Sequence, residues 1–454
     1  MTRILPCLVC LLALAASNLF GASEGRRPNI LMILVDDLGY GDLSCQGSPD
    51  MQTPAIDRLF AEGMRFGNFY ANCTVCSPSR ASLLTGRYPD AVGVPGVIRQ
   101  DEKDSWGFLD PEATTIADVL AKAGYATGLV GKWHLGLGSP NVPNERGFDS
   151  FKGFLGDMME DYWTHRRGGI NWMRENEQVI DPEGHATDLF AAWASEFVRS
   201  RAGEAEPFFL YLAFNAPHDP VQPPAEWLEK VQQREKGIDP VRARLVAFIE
   251  HLDARIGNVL QTLEVTGLAQ DTLVVFSSDN GGALRHGANN GPLRGGKGDH
   301  FEGGIRVPMA ATWPGHIEAG STSDNIGLLM DLFPTFCAVA GVEPPGNLDG
   351  ISLLPTLTGK EQATDDRVLF WVRQEGNMRF GGQTYYAARY KHLKILQNTP
   401  WEPYAFYDLA VDPMETAPLE PVGEAYTFLF RQLMEHIRET TVNNSINPGP
   451  SPNI

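Results

Sequence analysis

Cys76 heads the segment CSPSRASLLTGR, which runs from Cys76 to Arg87. Pro78 predicts a turn, Ser79 is suited to cap a helix that follows, and Arg80 stays charged at any working pH. A helix N-terminus favours anions, so a thiol there beside a guanidinium has the makings of a nucleophile. The alternative is a buried free cysteine, a common fate for this residue. Four further polar groups each follow a short apolar run: Asp36-Asp37, Lys132 with His134, His218, and Asp279-Asn280. Asp36, Asp37, Asp279 and Asn280 offer only oxygen donors, a set that suits Ca²⁺ or Mg²⁺ better than zinc. A turn or cap would account for Asp279-Asn280-Gly281. It accounts less well for Asp36-Asp37, where two neighbouring anions repel unless a cation joins them.

The elements that must carry these groups follow from pattern. Ile30 to Val35 is a continuous apolar run of the kind found in a parallel strand covered on both faces. Ala126 to Gly131, Phe208 to Phe214, Thr272 to Phe276 and Pro308 to Trp313 read as further strands. Between them lie helices at Asp57 to Gly63 and at Thr115 to Ala123, the latter closed by Gly124. Asp239-Pro240 opens another, with Leu245, Phe248, Ile249, Leu252, Ile256 and Leu260 on one face. Alternating strands and helices predict an α/β domain with a large, mostly parallel sheet. Ligand sites in such sheets lie beyond the carboxyl ends of the strands, where all four polar groups fall. After Pro344-Pro345-Gly346 the texture changes, although Asp349 to Leu353 is placed to pack back on the first unit. Short strands at Arg367 to Trp371, Tyr385 to Tyr390, His392 to Leu396 and Ala405 to Leu409 precede a helix from Glu424 to Arg438. The helix's apolar face is Phe428, Leu429, Leu433 and Ile437. This predicts a smaller α+β domain with an antiparallel sheet. The expected division is 1–23 leader, 24–345 catalytic domain, and 346–454 C-terminal domain with a loose tail.

Composition sets the boundary conditions. The chain has 454 residues and a net charge of −19, which disfavours nucleic acid as a partner. An anionic substrate would need a local cationic pocket to overcome that field. Arg3, an apolar run from Ile4 to Ala16 and the small residues Gly21-Ala22-Ser23 form a secretory leader pattern, too short for a spanning helix. The expectation is export, to the periplasm or medium if the source is bacterial, without stable membrane association. Cys7 and Cys10 would leave with the leader. Cys45, Cys73, Cys76 and Cys337 are too few for a disulfide framework, although a Cys45–Cys73 bridge remains open. The nine glycines between Gly281 and Gly304 lack a Walker lysine-serine pattern and read as turns.

The segment CSPSR followed by LTGR resembles the signature of the formylglycine-dependent sulfatase family. The resemblance extends to GKWHLG (Gly131 to Gly136), NAPHDP (Asn215 to Pro220), SDNGG (Ser278 to Gly282), LRGGK (Leu293 to Lys297) and EGGIRVP (Glu302 to Pro308). TPAIDRL from Thr53 and YDLAVDPMET from Tyr407 are also similar, so it covers nearly the whole chain after the leader. It implies an alkaline-phosphatase-like sandwich with a small C-terminal sheet domain. It also implies that a formylglycine-generating enzyme converts Cys76 to 3-oxoalanine during export. One hydroxyl of the hydrated aldehyde would attack sulfur, and the other would drive sulfate out. Asp36, Asp37, Asp279, Asn280 and position 76 would hold a calcium ion. Arg80 and Lys132 would stabilise the hydroxyls, and His134 would be the base for sulfate expulsion. His218 and Lys297 would face the sulfate, one of them protonating the leaving oxygen.

Substrate identity rests on weaker signals. Gly156 to Asp188 interleaves aromatics and cations, among them His165 and Arg167. Such a loop either reads a sulfated sugar or is a solvated surface insertion. Export favours a sulfated carbohydrate as substrate. The rival activities are hydrolysis of phosphonate or phosphate esters and inactive capture of sulfated glycans.

Overall fold

The computed structural model describes residues 26–375 and 383–443, so the leader and the terminal tail lie outside the described residues. Ten strands form one mixed sheet: β1 (Asn29–Val35), β2 (Met64–Tyr70), β3 (Ala126–Lys132), β4 (Ser150–Phe154), β7 (Met173–Glu175), β8 (Gln178–Val179), β9 (Phe208–Ala213), β10 (Thr272–Ser278), β11 (Met309–Thr312) and β12 (Ser321–Leu328). Between β4 and β7 a separate hairpin, β5 (Arg166–Arg167) and β6 (Ile170–Asn171), stands off the sheet. The order across the large sheet is β12-β2-β11-β10-β1-β9-β3-β4-β7-β8. The centre, β10-β1-β9-β3-β4, is parallel throughout, and β11 and β7 flank it antiparallel.

Apolar alternation explains the layers. Phe208 packs on Phe197 of helix Ala186–Ser200, while its neighbour Phe209 packs on Phe336 of helix Leu332–Ala340. Successive strand residues point to opposite faces, so the two helices cover opposite sides of the sheet. Helices Pro54–Glu62, Ala225–Arg234 and Pro240–Val265 join the first layer; Cys76–Thr85 and Ile116–Lys122 join the second. Asp239 caps Pro240–Val265 by accepting from the Val241 and Arg242 amides, and Thr115 with Asp118 forms a capping box. Every residue of β1, β3, β9 and β10 is buried, as unbroken apolar runs predict.

The C-terminal sheet is β13 (Val368–Gln374), β14 (Thr384–Tyr390), β15 (Leu393–Gln397) and β16 (Ala405–Asp408), antiparallel throughout. Helix Glu424–Asn443 covers one face through Leu429 and Leu433. Leu369, Trp371, Ala387 and Tyr407 on the other face pack with Tyr70, Ile326 and Leu328 of the large sheet. Trp371 Nε1 donates to the Ala71 carbonyl at 2.8 Å, joining the two sheets.

Several expectations change. The helix near Cys76 begins at Cys76 itself, with Val75 as its cap. Pro78 sits in the first turn, where a missing N–H costs nothing, and Ser79 Oγ ties instead to Cys73. Cys45, Cys73, Cys76 and Cys337 are all free thiols, so Cys45 and Cys73 form no bridge. Leu353 belongs to the main core, in line with the placing of Asp349 to Leu353 against the first unit, and Leu357 joins it there. Strands β2 and β12 and helices Ala186–Ser200, Ala225–Arg234 and Leu332–Ala340 add to the elements read from pattern.

Candidate active site

The register brings the polar groups together. Val35 pairs with Ser278, Leu34 with Ala213, and Ala213 with Gly131, so four strands end at one level. Just beyond lie Asp36-Asp37, Asp279-Asn280, His218 and Lys132 with His134. Helix Cys76–Thr85 aims its first turn at the same place, and the loop after β10 brings Lys297. Asp37 and His134 both adopt left-handed backbone (φ 69° and 60°), which turns the chain sharply as it leaves each strand.

Three buried carboxylates meet three cations. Lys132 Nζ donates to Asp36 Oδ2 at 2.5 Å, and Arg80 grips Asp279 Oδ2 through Nε (3.0 Å) and Nη2 (2.7 Å). Lys297 Nζ donates to Asp37 Oδ2 at 2.7 Å, and Asn280 Nδ2 donates to Asp37 Oδ1 at 2.8 Å. Burial works to raise the Asp36 carboxyl, but Lys132, His218 and Arg80 outweigh it and hold the group well below the usual carboxylate range. At Asp279, burial and the charge of Asp36 win, and its carboxyl is pushed up to about 7. A third anion in this cluster is therefore costly without further positive charge.

The donors fit a divalent cation. Asp36 Oδ1 and Asn280 Oδ1 are buried and accept no hydrogen bond among the described residues, although such atoms are almost always paired. One ligand atom each from Asp36, Cys76 and Asp279 lies within 4.8 Å of the other two, and the same holds for Asp36, Asp37 and His218. The oxygens match the hard-ion preference.

Burial pushes the Cys76 thiol up to about 11 despite Lys132 and Lys297 nearby. As cysteine, this residue is protonated at neutral pH and a poor nucleophile. His134 Nε2 lies 2.8 Å from the Ile98 carbonyl, which makes it the donor nitrogen; Nδ1, the lone-pair side, meets no partner among the described residues. Burial, then Lys132 and Arg80, drive the His134 pKa well below that of free imidazole, so the ring is neutral. His218 Nδ1 lies 2.7 Å from the Asp219 carbonyl, which leaves Nε2 facing Asp37 Oδ2 at 3.7 Å.

The site opens into a cleft of about 1580 Å³ lined by Cys76, His134, His218 and Lys297. Arg167 is on its wall, held by Asp157 at 3.0 Å and Glu160 at 3.2 Å. His165 is not: it is fully buried, with Nε2 2.9 Å from the Gly184 carbonyl. The expectation that His165 meets substrate is corrected, because the turn before β5 folds its ring inward while Arg167 faces out. Motif reasoning missed Arg99, Arg373 and Glu375, which line the cleft from a loop and from the C-terminal sheet. Only the polar positions of β13 hinted at Arg373.

The mixed sheet, with its acid–base cluster beyond the carboxyl ends of the strands, has the alkaline-phosphatase-like fold of solved sulfatases. The sequence matches the sulfatase family over residues 28–342, and the C-terminal region of N-sulphoglucosamine sulphohydrolase over residues 297–443. N-acetylgalactosamine-6-sulfatase of Mus musculus is 36% identical over 80% of this chain and 72% of its own. Arylsulfatase A of Homo sapiens is 34% identical over 89% and 85%. The crystal structure of Ps i-CgsB in complex with a k-i-k-neocarrahexaose superposes with a TM-score of 0.82 at 32% identity, covering 92% of this chain and 94% of the other. The chain belongs to the sulfatase family, and its activity is hydrolysis of sulfuric esters.

Proposed function

We propose that the protein removes sulfate from a sulfated carbohydrate, using formylglycine made from Cys76 and a calcium ion held by Asp36, Asp37, Asp279 and Asn280. The observation that carries this reading is the pair of unpartnered buried oxygens, Asp36 Oδ1 and Asn280 Oδ1, beside a thiol that burial leaves inert. A bound dication would satisfy both oxygens and neutralise sulfate charge. The hydrated aldehyde would supply paired hydroxyls, one to attack and one to expel sulfate.

The chain's own residues do the rest. Arg80 and Lys132, both fully buried, hold positive charge beside position 76. Lys297 Nζ and His218 Nε2 converge on Asp37 at the cleft floor, where a sulfate oxygen and the leaving oxygen would lie. His134 Nδ1 is the unprotonated nitrogen that takes a proton as sulfate departs. Arg167 on the wall contacts the sugar. The carbohydrate assignment draws on the relatives, which are named for an N-acetylgalactosamine sulfate and solved with a carrageenan hexaose. Export and modification by a formylglycine-generating enzyme complete the reading; no helix among the described residues is long and apolar enough to cross a membrane.

The test is mass spectrometry of the peptide holding position 76, alongside turnover of an aryl sulfate and of sulfated oligosaccharides. Aldehyde at position 76 with sulfate release is the expected result. Unmodified cysteine in active protein from a modification-competent host would overturn the mechanism.

A further inference from the structure

The cleft is larger than the ~300–1,000 Å³ of ordinary small-molecule sites, so a single sulfated sugar does not fill it. Its far wall comes from the C-terminal sheet. Arg373 on β13 stands directly across from Tyr385 on β14, with the guanidinium 5.2 Å from the ring centre. Its Nη1 donates to the Gly298 carbonyl at 2.7 Å, one residue from Lys297. Its Nε donates to Glu375 Oε1 at 2.6 Å. The other oxygen of Glu375 accepts from Arg99 at 2.8 Å, so one buried carboxylate holds both guanidiniums in place. Arg373 Nη2 has no hydrogen-bond acceptor among the described residues. By contrast Arg167 is matched by two carboxylates of its own. Arg99 follows Ile98, whose carbonyl orients His134 and whose amide binds Ser77 Oγ. Both arginines are therefore held one residue away from the catalytic set, and Arg373 presents a fixed donor edge to the cleft.

We infer that Arg373, with Arg99 beside it, forms a second anion subsite that reads a sulfate or carboxylate on the sugar adjoining the one cleaved. A guanidinium oriented in advance by Glu375 and Gly298 loses little entropy when it binds an oxyanion. The enzyme's preferred substrate is then a multiply charged oligosaccharide. This inference rests on the sulfatase reading of the cleft.

The experiment is competitive inhibition of aryl sulfate hydrolysis by matched saccharides. One pair is carrageenan hexasaccharides with one or with two sulfates per disaccharide. A second is 6-sulfated N-acetylgalactosamine, alone or linked to a uronate, which separates carboxylate from sulfate. The wild type should bind the more highly charged member of at least one pair about tenfold more tightly. Arg373→Gln should abolish that ratio, and Arg373→Lys should keep part of it. A general disturbance of Lys297 through Gly298 would weaken both members equally and leave the ratio intact. An unchanged ratio in Arg373→Gln, or no preference in any pair for the wild type, overturns the subsite. Absence of aryl sulfate turnover in the wild type would instead count against the proposed function.

Discussion

Lys394→Met isolates the force that locks the two sheets together. Lys394 Nζ lies 2.9 Å from Glu302 Oε1 and 2.7 Å from Glu415 Oε1, and all three side chains are buried. Tyr70 donates to Glu302 at 2.7 Å, and the Glu302 amide donates to Glu415 at 2.6 Å. Removing the ammonium leaves two buried carboxylates facing one cation fewer, a loss of about 3–5 kcal/mol for a broken buried pair. The chain can escape only by protonating one of them. Glu415 is the one that yields, because burial already raises its carboxyl, whereas at Glu302 burial is outweighed by Lys394, Arg389 and Arg306, which hold it down at about 2. Neutralising a carboxyl of ordinary pKa ~4.5 costs about 1.4 kcal/mol per pH unit above that value. The penalty should therefore be about 4 kcal/mol at pH 7.5 and shrink to roughly 1 kcal/mol at pH 5.5. Denaturant unfolding of wild type and variant at both pH values measures it. Adding Glu415→Gln to Lys394→Met should recover most of the loss at pH 7.5. A penalty that does not change with pH, or a double variant no better than the single, would refute the reasoning.

Other outcomes follow from the site and its surroundings. His134→Ala should lower kcat about 10²–10⁴-fold on aryl sulfate; a loss below tenfold would remove it from proton transfer. Calcium at 100 times its Kd should stabilise the wild type by about 2.7 kcal/mol, and Asp36→Ala should abolish that thermal shift. An identical calcium response in the variant would move the ion elsewhere. Trp371→Phe leaves the Ala71 carbonyl without its donor and should cost about 1–3 kcal/mol, read as a lower unfolding midpoint. His185 has its pKa lowered to about 4 by burial and by His251, so the folded state keeps it neutral while the unfolded chain binds a proton below about 6.5. Its contribution of roughly 3 kcal/mol is full above pH 6.5 and fades as pH falls toward 4. His185→Asn, which retains a side chain able to cap Thr187, should flatten that part of the stability–pH curve.

What the sequence made legible was local. The apolar runs before Asp36, Lys132 and Asp279 announce buried parallel strands, and the rule that sites lie at their carboxyl ends then gathers the polar groups. Asp239-Pro240 and Thr115 mark helix starts because capping is decided within four residues. The errors arise where the deciding contact is distant. His165 and Arg167 are two residues apart in one polar stretch, and nothing local says which turns inward. The Gly184 carbonyl, 19 residues on, decides it. Ser79 looks like a cap until its hydroxyl is seen to be committed to Cys73, which leaves Cys76 to open the helix.

Glu302 shows the same limit at larger scale. In sequence it is one acid in EGGIRVP; its partners Lys394 and Glu415 lie in the C-terminal unit, 92 and 113 residues away. Arg373 crosses that junction in the other direction, reaching from the C-terminal sheet to Gly298 beside Lys297. The C-terminal unit thus anchors the loop that carries Lys297 at two points, once through buried charge and once at the cleft wall. Substitutions that loosen β13 or β15 should therefore alter substrate affinity as well as stability, although none of them changes a residue of the sulfatase motifs. Kinetics on Trp371→Phe, done alongside its unfolding curve, give that coupling a number; a KM for aryl sulfate equal to wild type in the folded variant would separate the two roles.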